Sequence, residues 1–280
     1  RLANLAMASR VHLEGRPIVI TGGGTGIGAA TAIACNAARM PVIIAGRRLE
    51  PLQAVCNQLD RGLIVQVDVT DPDHVPTLLD SAEEAFGPPW AVLANAGHGL
   101  DRTAHGTSEA AMREIFEVNF FSTHLLLQEA ARRMIARQQG GHLLATASCV
   151  SKFAPPYHGA YAATKAAQDL YCQAMRLELA PAGIHVSTVH PGTIVTDFFD
   201  VSANLSGRTG TRSGIDHTPK MFQQTPDRIA SAIVKCLRRP VPEVWTSKLI
   251  RLSAAIRTYF PKMLDRSMRK MLESDRIESE

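Results

Sequence analysis

Pro17-Ile-Val-Ile-Thr21-Gly-Gly-Gly-Thr25-Gly-Ile-Gly28 is the stretch that decides the architecture. Its first half is a short apolar, β-branched run, which reads as a buried strand. It passes straight into a glycine string, and helix-forming residues continue over Ala29–Arg39. Glycine is needed where the chain turns tightly and where backbone must approach a pyrophosphate. A helix start adds N–H groups and the positive end of a dipole, which suit that anion. A glycine string alone is a weak signal. A strand before it and a helix after it are the context of a dinucleotide-binding turn.

The same alternation continues outward. Val42–Ala45, Leu63–Val67, Ala91–Ala94, His142–Thr146 and Ile184–Val189 read as further strands. Asp73–Phe86, Ser108–Gln138 and Pro226–Arg238 read as helices, and a last strand is expected near Val244. Near-continuous apolar strands separated by helices imply a parallel sheet covered on both faces. The expected fold is therefore α/β: one doubly wound domain, a parallel sheet of about seven strands, joined by right-handed crossovers. Residues 1–243 form the catalytic domain in this reading. They include a Ser-, Gly- and Thr-rich segment at about 193–225 that reads as a flexible, substrate-selecting loop. Residues 244–280 read as a basic amphipathic helical extension.

Composition narrows the function classes. Apolar residues make up 45% and the formal charge is +4, which suits a globular protein and gives no reason to expect nucleic-acid binding. The five cysteines form no CxxC pair and no zinc-like cluster, so a reduced, cytoplasmic setting is expected and no metal. Nothing approaches the roughly 20 apolar residues that span a bilayer. The first fifteen residues lack the apolar run of a signal peptide, although a start at Arg1 leaves room for an upstream segment.

Strand two ends at Ala45-Gly46-Arg47-Arg48. A site for NAD usually carries an acidic residue there, on the ribose 2′-hydroxyl. Here glycine and two guanidinium groups occupy the place, and guanidinium binds a 2′-phosphate through charge-assisted hydrogen bonds. The expected cofactor is NADP(H), with Arg47 the main contact and Arg48 beside it.

Tyr161-Ala-Ala-Thr-Lys165 sets a phenol and an ammonium four residues apart on one helical face. Such a pair is more often a surface contact than a catalytic one. Carbonyl reduction, however, needs a proton donor beside the hydride donor. A phenol with its ordinary pKa near 10 exchanges poorly at neutral pH. A neighbouring ammonium would lower that pKa.

With these residues in view, the chain resembles the classical short-chain dehydrogenases/reductases, whose core is a Rossmann domain. The family's glycine motif matches Thr21, Gly22, Thr25, Gly26, Ile27 and Gly28, and its Asn-Ala-Gly motif matches Asn95, Ala96 and Gly97. Its active-site Tyr-x-x-x-Lys matches Tyr161 and Lys165. Its serine thirteen residues earlier matches Ser148, and its helix-four asparagine matches Asn119. Pro191, Gly192, Ile194 and Thr196 match the segment that closes over the nicotinamide, and Asp68 with Val69 matches the adenine contact. The resemblance implies that Tyr161 is the general acid in reduction, Ser148 polarises the carbonyl, and Lys165 holds the ribose and lowers the tyrosine pKa. It also implies that Asn119 supports a water-mediated proton path. The implied activity is reversible hydride transfer between NADP(H) and an alcohol/carbonyl pair. A homodimer or homotetramer is the implied assembly. Ser151 and Ser122 stand where the family often has glycine, and this is expected to affect substrate fit and subunit packing rather than activity.

Cys149 reads as inert packing, His98 and His158 as the rim of a pocket, and His190 as structural. From Val244 to Leu272 seven basic residues accompany one acid, with Trp245, Leu249, Leu252, Ile256, Tyr259 or Phe260, and Met263 at helical spacing. This face suits packing over the substrate mouth, a second subunit, or a peripheral position on an anionic membrane. Its apolar content points to a hydrophobic substrate. The readings that compete with catalysis are a cofactor-binding regulator and a membrane-docking protein without turnover. Regulators in the family tend to lose the tyrosine or lysine, and this chain keeps both.

Overall fold

The structure is a computed structural model that describes residues 10–194 and 223–263, together with 265, 266, 268 and 269. The strands are β1 (Ile18–Thr21), β2 (Val42–Gly46), β3 (Gly62–Gln66), β4 (Ala91–Ala94), β5 (Gly141–Thr146), β6 (Ile184–His190) and β9 (Glu243–Trp245). They form one seven-stranded parallel sheet in the order β3-β2-β1-β4-β5-β6-β9. The order reverses between β1 and β4, so a crevice opens at the carboxyl ends of those strands, where such folds bind ligands. Two short strands, β7 (Thr193–Ile194) and β8 (Gln223–Gln224), pair in parallel and bring together the ends of segment 195–222. That segment holds Thr196 and most of the expected loop, which lie outside the described residues.

Alternation along each strand divides the core in two. Val19, Ile43, Val92, Leu143 and Val186 face α3 (His74–Phe86), α5 (Ser122–Ala136) and α6 (Gly159–Leu179). Ile18, Ile20, Val42, Ile44, Leu93 and Leu144 face α1 (Gly26–Ala37), α2 (Leu49–Cys56) and α7 (Pro226–Arg238). Each face is almost wholly removed from water, and burial of this kind contributes about 25 cal/mol per Å². The near-continuous apolar reading of the strands thus has its physical cause in two covered faces.

One expectation is corrected here. The single helix read over Ser108–Gln138 is divided: α4 (Glu109–Phe116), a π turn (Glu117–Phe121) and then α5. The wider turn frees carbonyls from the ordinary ladder, and side chains serve them. Ser122 Oγ donates to Val118 O at 2.5 Å and Thr123 Oγ1 to Asn119 O at 2.9 Å. At the sheet edge β9 pairs with β6, Val244 with Val189 and Trp245 with His190. The helix beyond it, α8 (Lys248–Tyr259), is anchored by buried Ile250 and Ala254 against β9 and the turn after Ser148.

Candidate active site

The glycine turn is shaped by close approach. Gly22 and Gly26 have φ of +64° and +54°, and a Cβ on Gly28 would lie 2.1 Å from the Gly22 carbonyl oxygen. Asn95 clamps the turn. Its N–H donates to Thr21 Oγ1 at 3.0 Å, and its side-chain amide donates to Thr21 O at 3.0 Å. Thr146 Oγ1 donates to Asn95 Oδ1 at 3.0 Å, which joins β1, β4 and β5 at their carboxyl ends. Helix α1 begins from Thr25 and has no acidic side chain in its first turn. A cradle that tolerates no Cβ, at a helix start without a competing carboxylate, fits a pyrophosphate.

The β2–β3 side of the crevice is exposed. Gly46 ends β2, and Arg47 and Arg48 follow at the surface. Arg47 Nη1 lies 3.9 Å from Asp68 Oδ2, with the arginine side chain 70% exposed. Asp68 accepts from Thr70 N–H and Thr70 Oγ1. Burial tends to raise its pKa, but those two bonds and Arg47 outweigh it and hold the carboxyl below its usual value. Val69 is half-buried beside it.

The β4–β5 side is enclosed. Ser148 ends β5's extension and is buried, and its hydroxyl accepts from Val150 N–H at 3.3 Å. Tyr161 sits in the first turn of α6, and its phenol is hydrogen-bonded to Ser148. Lys165, one turn on and 4% exposed, donates to Thr146 O at 2.8 Å. Burial lowers its ammonium pKa to about 7. Asn119, in the π turn, exchanges bonds with His98: its Oδ1 accepts from His98 N–H and its Nδ2 donates to His98 O, both at 3.0 Å. Gly97 lets these groups meet, since a Cβ there would fall 2.8 Å from Asn119 Oδ1.

One expectation is reversed. An ammonium one turn away was expected to pull the phenol down. Instead burial pushes the Tyr161 pKa up, opposed by the Ser148 hydrogen bond. Lys165 Nζ lies 5.7 Å from the Tyr161 ring centroid and is turned to a backbone carbonyl. Low dielectric disfavours both charged forms at once.

Several contributors escape a reading by motif. Thr146 receives Lys165 and holds Asn95. Thr164 Oγ1 accepts from Asn119 Nδ2 at 3.1 Å and donates to Tyr161 O at 2.8 Å. Gln168 donates to Asn119 O at 2.7 Å. Thr164 and Gln168 lie on the Tyr161–Lys165 helix face, so helical spacing was the available signal. The turn after Ser148 is tied to β6 by Cys149 N–H, which donates to Pro191 O at 2.9 Å, and Gly192 N–H donates to Gln224 Oε1 at 3.2 Å. Ile194 lies in β7. Cys149 behaves as packing, its thiol pushed up to about 11 by burial. His158, the residue before α6, pairs with Asp101 at 3.1 Å. The Ser151 hydroxyl lies 3.3 Å from His190 Nδ1.

A family model described as short chain dehydrogenase matches residues 16–204. An uncharacterized oxidoreductase of Mycobacterium tuberculosis is 30% identical over 250 residues, 88% of this chain and 93% of that protein. Mouse dehydrogenase/reductase SDR family member 7B is 24% identical over 277 residues, 96% of this chain and 84% of that protein. A short chain dehydrogenase/reductase from Burkholderia phymatum, solved in complex with NAD, superposes with a TM-score of 0.80 at 23% identity, covering 91% of this chain and 96% of that one.

Proposed function

The chain belongs to the short-chain dehydrogenase/reductase family of oxidoreductases, whose members bind a nicotinamide cofactor, and from that premise we propose that it interconverts a hydrophobic carbonyl and its alcohol with NADP(H). The observation that carries this reading is the convergence of Ser148, Tyr161 and Lys165 at the carboxyl end of β5, facing the glycine turn.

When bound, the nicotinamide supplies or accepts the hydride. The remaining work belongs to this chain's residues. Tyr161, kept protonated by burial, holds a proton ready for the oxygen of the carbonyl that receives the hydride. Ser148 donates to that same oxygen and stabilises the charge developing there. General acid–base groups so placed contribute about 10²–10⁴-fold. Lys165, with a pKa of about 7, can release or take a proton at neutral pH and would hold the ribose hydroxyls. Gly22, Gly26 and Gly28 would cradle the pyrophosphate, and Asn95–Gly97, Pro191, Gly192 and Ile194 would line the nicotinamide. Asp68 and Val69 would meet the adenine.

Selectivity for NADP(H) is supported by Arg47 and Arg48 in place of a carboxylate at the end of β2. The Burkholderia phymatum relative was solved with NAD, so the choice in this chain rests on its own arginines. A hydrophobic substrate is supported by α8, which packs beside the turn after Ser148 and leaves Leu249, Leu252, Tyr259, Phe260 and Met263 exposed. The same apolar face among basic residues suits peripheral contact with an anionic membrane, a second role for α8 that liposome flotation of the wild type beside a Leu249→Ser/Leu252→Ser variant would test. No described helix is long and apolar enough to cross a membrane. Homo-oligomer formation and a cytoplasmic location complete the reading as proposals.

The test is NADPH and NADH oxidation, followed by absorbance, against a panel of aliphatic, aromatic and steroid-like carbonyls. Turnover with NADPH well above NADH is expected. Tight NADPH binding with no turnover on any carbonyl would favour the cofactor-binding regulator.

A further inference from the structure

Behind Ser148 lies a buried polar cluster that the catalytic reading above does not use. It draws on four parts of the fold: the turn after β5 (Ser148, Ser151, Lys152), α6 (Asp169), β6 (Thr188, His190) and β9 (Glu243, Trp245). His190 is fully buried at its centre. Its Nδ1 lies 3.1 Å from the Ser148 carbonyl oxygen and 3.3 Å from Ser151 Oγ. Its Nε2 lies 2.9 Å from Thr188 Oγ1 and 3.5 Å from Asp169 Oδ1. Thr188 Oγ1 in turn reaches Asp169 Oδ1 at 3.1 Å. Trp245 stacks on the imidazole, with centroids 4.5 Å apart and planes at 13°, and its indole N–H donates to Glu243 Oε2 at 2.7 Å.

Asp169, His190 and Glu243 together have the make-up of a cation site. The Lys152 ammonium already fills that role. It lies 2.5 Å from Asp169 Oδ2 and 2.9 Å from Glu243 Oε1. Burial alone would lower the Lys152 pKa, but these partners outweigh it and raise it, so the charge stays. The cluster is therefore a half-buried ion network. One end reaches the backbone of Ser148, and the other end is on the helix that carries Tyr161 and Lys165.

The hydrogen-bond chemistry sets the imidazole's state. A carbonyl oxygen can only accept, so Nδ1 must carry a proton to bond Ser148. Nε2 is then served by Thr188, whose single hydroxyl proton it shares with Asp169. Burial holds the His190 pKa below its ordinary value, partly offset by Asp169, which favours the neutral ring.

We propose that His190 is a positioning residue: its Nδ1–H fixes the Ser148 carbonyl, and through the Thr188–Asp169–Lys152 network it locks the serine turn in register with the helix that carries Tyr161. This rests on the reductase reading above, because it concerns the same proton-donating pair. Ser151 belongs to the device, since its hydroxyl reaches the same nitrogen. The expectation that its departure from glycine spares activity gives way to a supporting role.

The test is a trio of variants. His190→Leu keeps bulk under Trp245 and removes both nitrogens. His190→Asn returns a donor at the Nδ1 position only, and His190→Gln returns one near Nε2 only. A misplacement of about 1 Å at a catalytic group costs about 10²-fold. The expected kcat loss in His190→Leu is of that size, with the KM for NADPH unchanged, and His190→Asn should restore most of it while His190→Gln does not. Wild-type kcat in His190→Leu, or equal kcat in the Asn and Gln variants, overturns the proposal. A second readout needs neither turnover nor a folded variant. In the ¹⁵N spectrum of the wild-type imidazoles, His190 should carry its proton on Nδ1. A proton on Nε2 alone overturns the proposal, whereas a wild type inactive on every carbonyl, yet protonated on Nδ1, overturns only the reductase reading.

Discussion

The two halves of the crevice are built differently. On the β2–β3 side Arg47 and Arg48 stand in water, and half-buried Asp68 is held below its usual pKa by Thr70 and Arg47. On the β4–β5 side Ser148, Tyr161, Lys165 and His190 are enclosed, and low dielectric moves the proton affinities of the last three. Exposed recognition thus depends on which residue is present. Enclosed chemistry depends on what surrounds it. The Tyr161–Lys165 pair makes the point: side by side in sequence they suggest a lowered phenol, and once buried the phenol rises while the ammonium falls to about 7.

Several substitutions would break or sharpen this contrast. The largest effect on cofactor binding is expected where both halves meet, at the glycine turn. Gly28→Ala would set a Cβ 2.1 Å from the Gly22 carbonyl oxygen and 2.8 Å from Asn95 Nδ2. Overpacking against backbone costs about 1–3 kcal/mol. Cofactor binding should weaken by about 10²-fold for NADPH and NADH alike, as read by fluorescence titration. Unchanged binding would remove the cradle.

A smaller and selective effect is expected on the exposed side. Arg47→Asp should raise the KM for NADPH by about 10–100-fold, the worth of one charged hydrogen bond, and leave that for NADH nearly unchanged. Equal changes in both would show that the arginine is only a solvated helix start.

The smallest effect at neutral pH is expected from His142, buried in β5 with Nε2 2.8 Å from Ser187 Oγ. Burial, reinforced by His185, lowers its pKa from 6.5 to about 3. As pH falls through 6.5 the unfolded chain takes up a proton that the folded chain refuses until about 3. Stability therefore declines across that window, by about 1.4 kcal/mol per unit of depression. His142→Gln should flatten this part of the acid denaturation curve and leave stability at pH 7–8 little changed. An acid slope identical to wild type would count against it.

The same contrast explains what could be read from the residues. The strands, the glycine turn, Asn95 and the Tyr161–Lys165 spacing were legible because each rests on a local rule: period, backbone freedom or helical geometry. The π turn at Asn119 was not, since nothing in Glu117–Phe121 departs from helical composition. What sustains it is tertiary, with Gln168 and Thr123 on the Asn119 carbonyl. Nor was the role of Ser151 and His190 legible. They are 39 residues apart and meet only because β6 lies beside β5. Likewise Lys165 finds Thr146 O through the packing of α6 on β5.

The central claim is that the enclosed half works through the Tyr161 proton. Its most direct test is NADPH oxidation by wild type and Tyr161→Phe on the best carbonyl of the panel, with NADPH binding measured in parallel. Turnover should fall by about 10²–10⁴-fold while NADPH affinity stays at the wild-type value. A Tyr161→Phe enzyme that turns over at the wild-type rate would contradict the account.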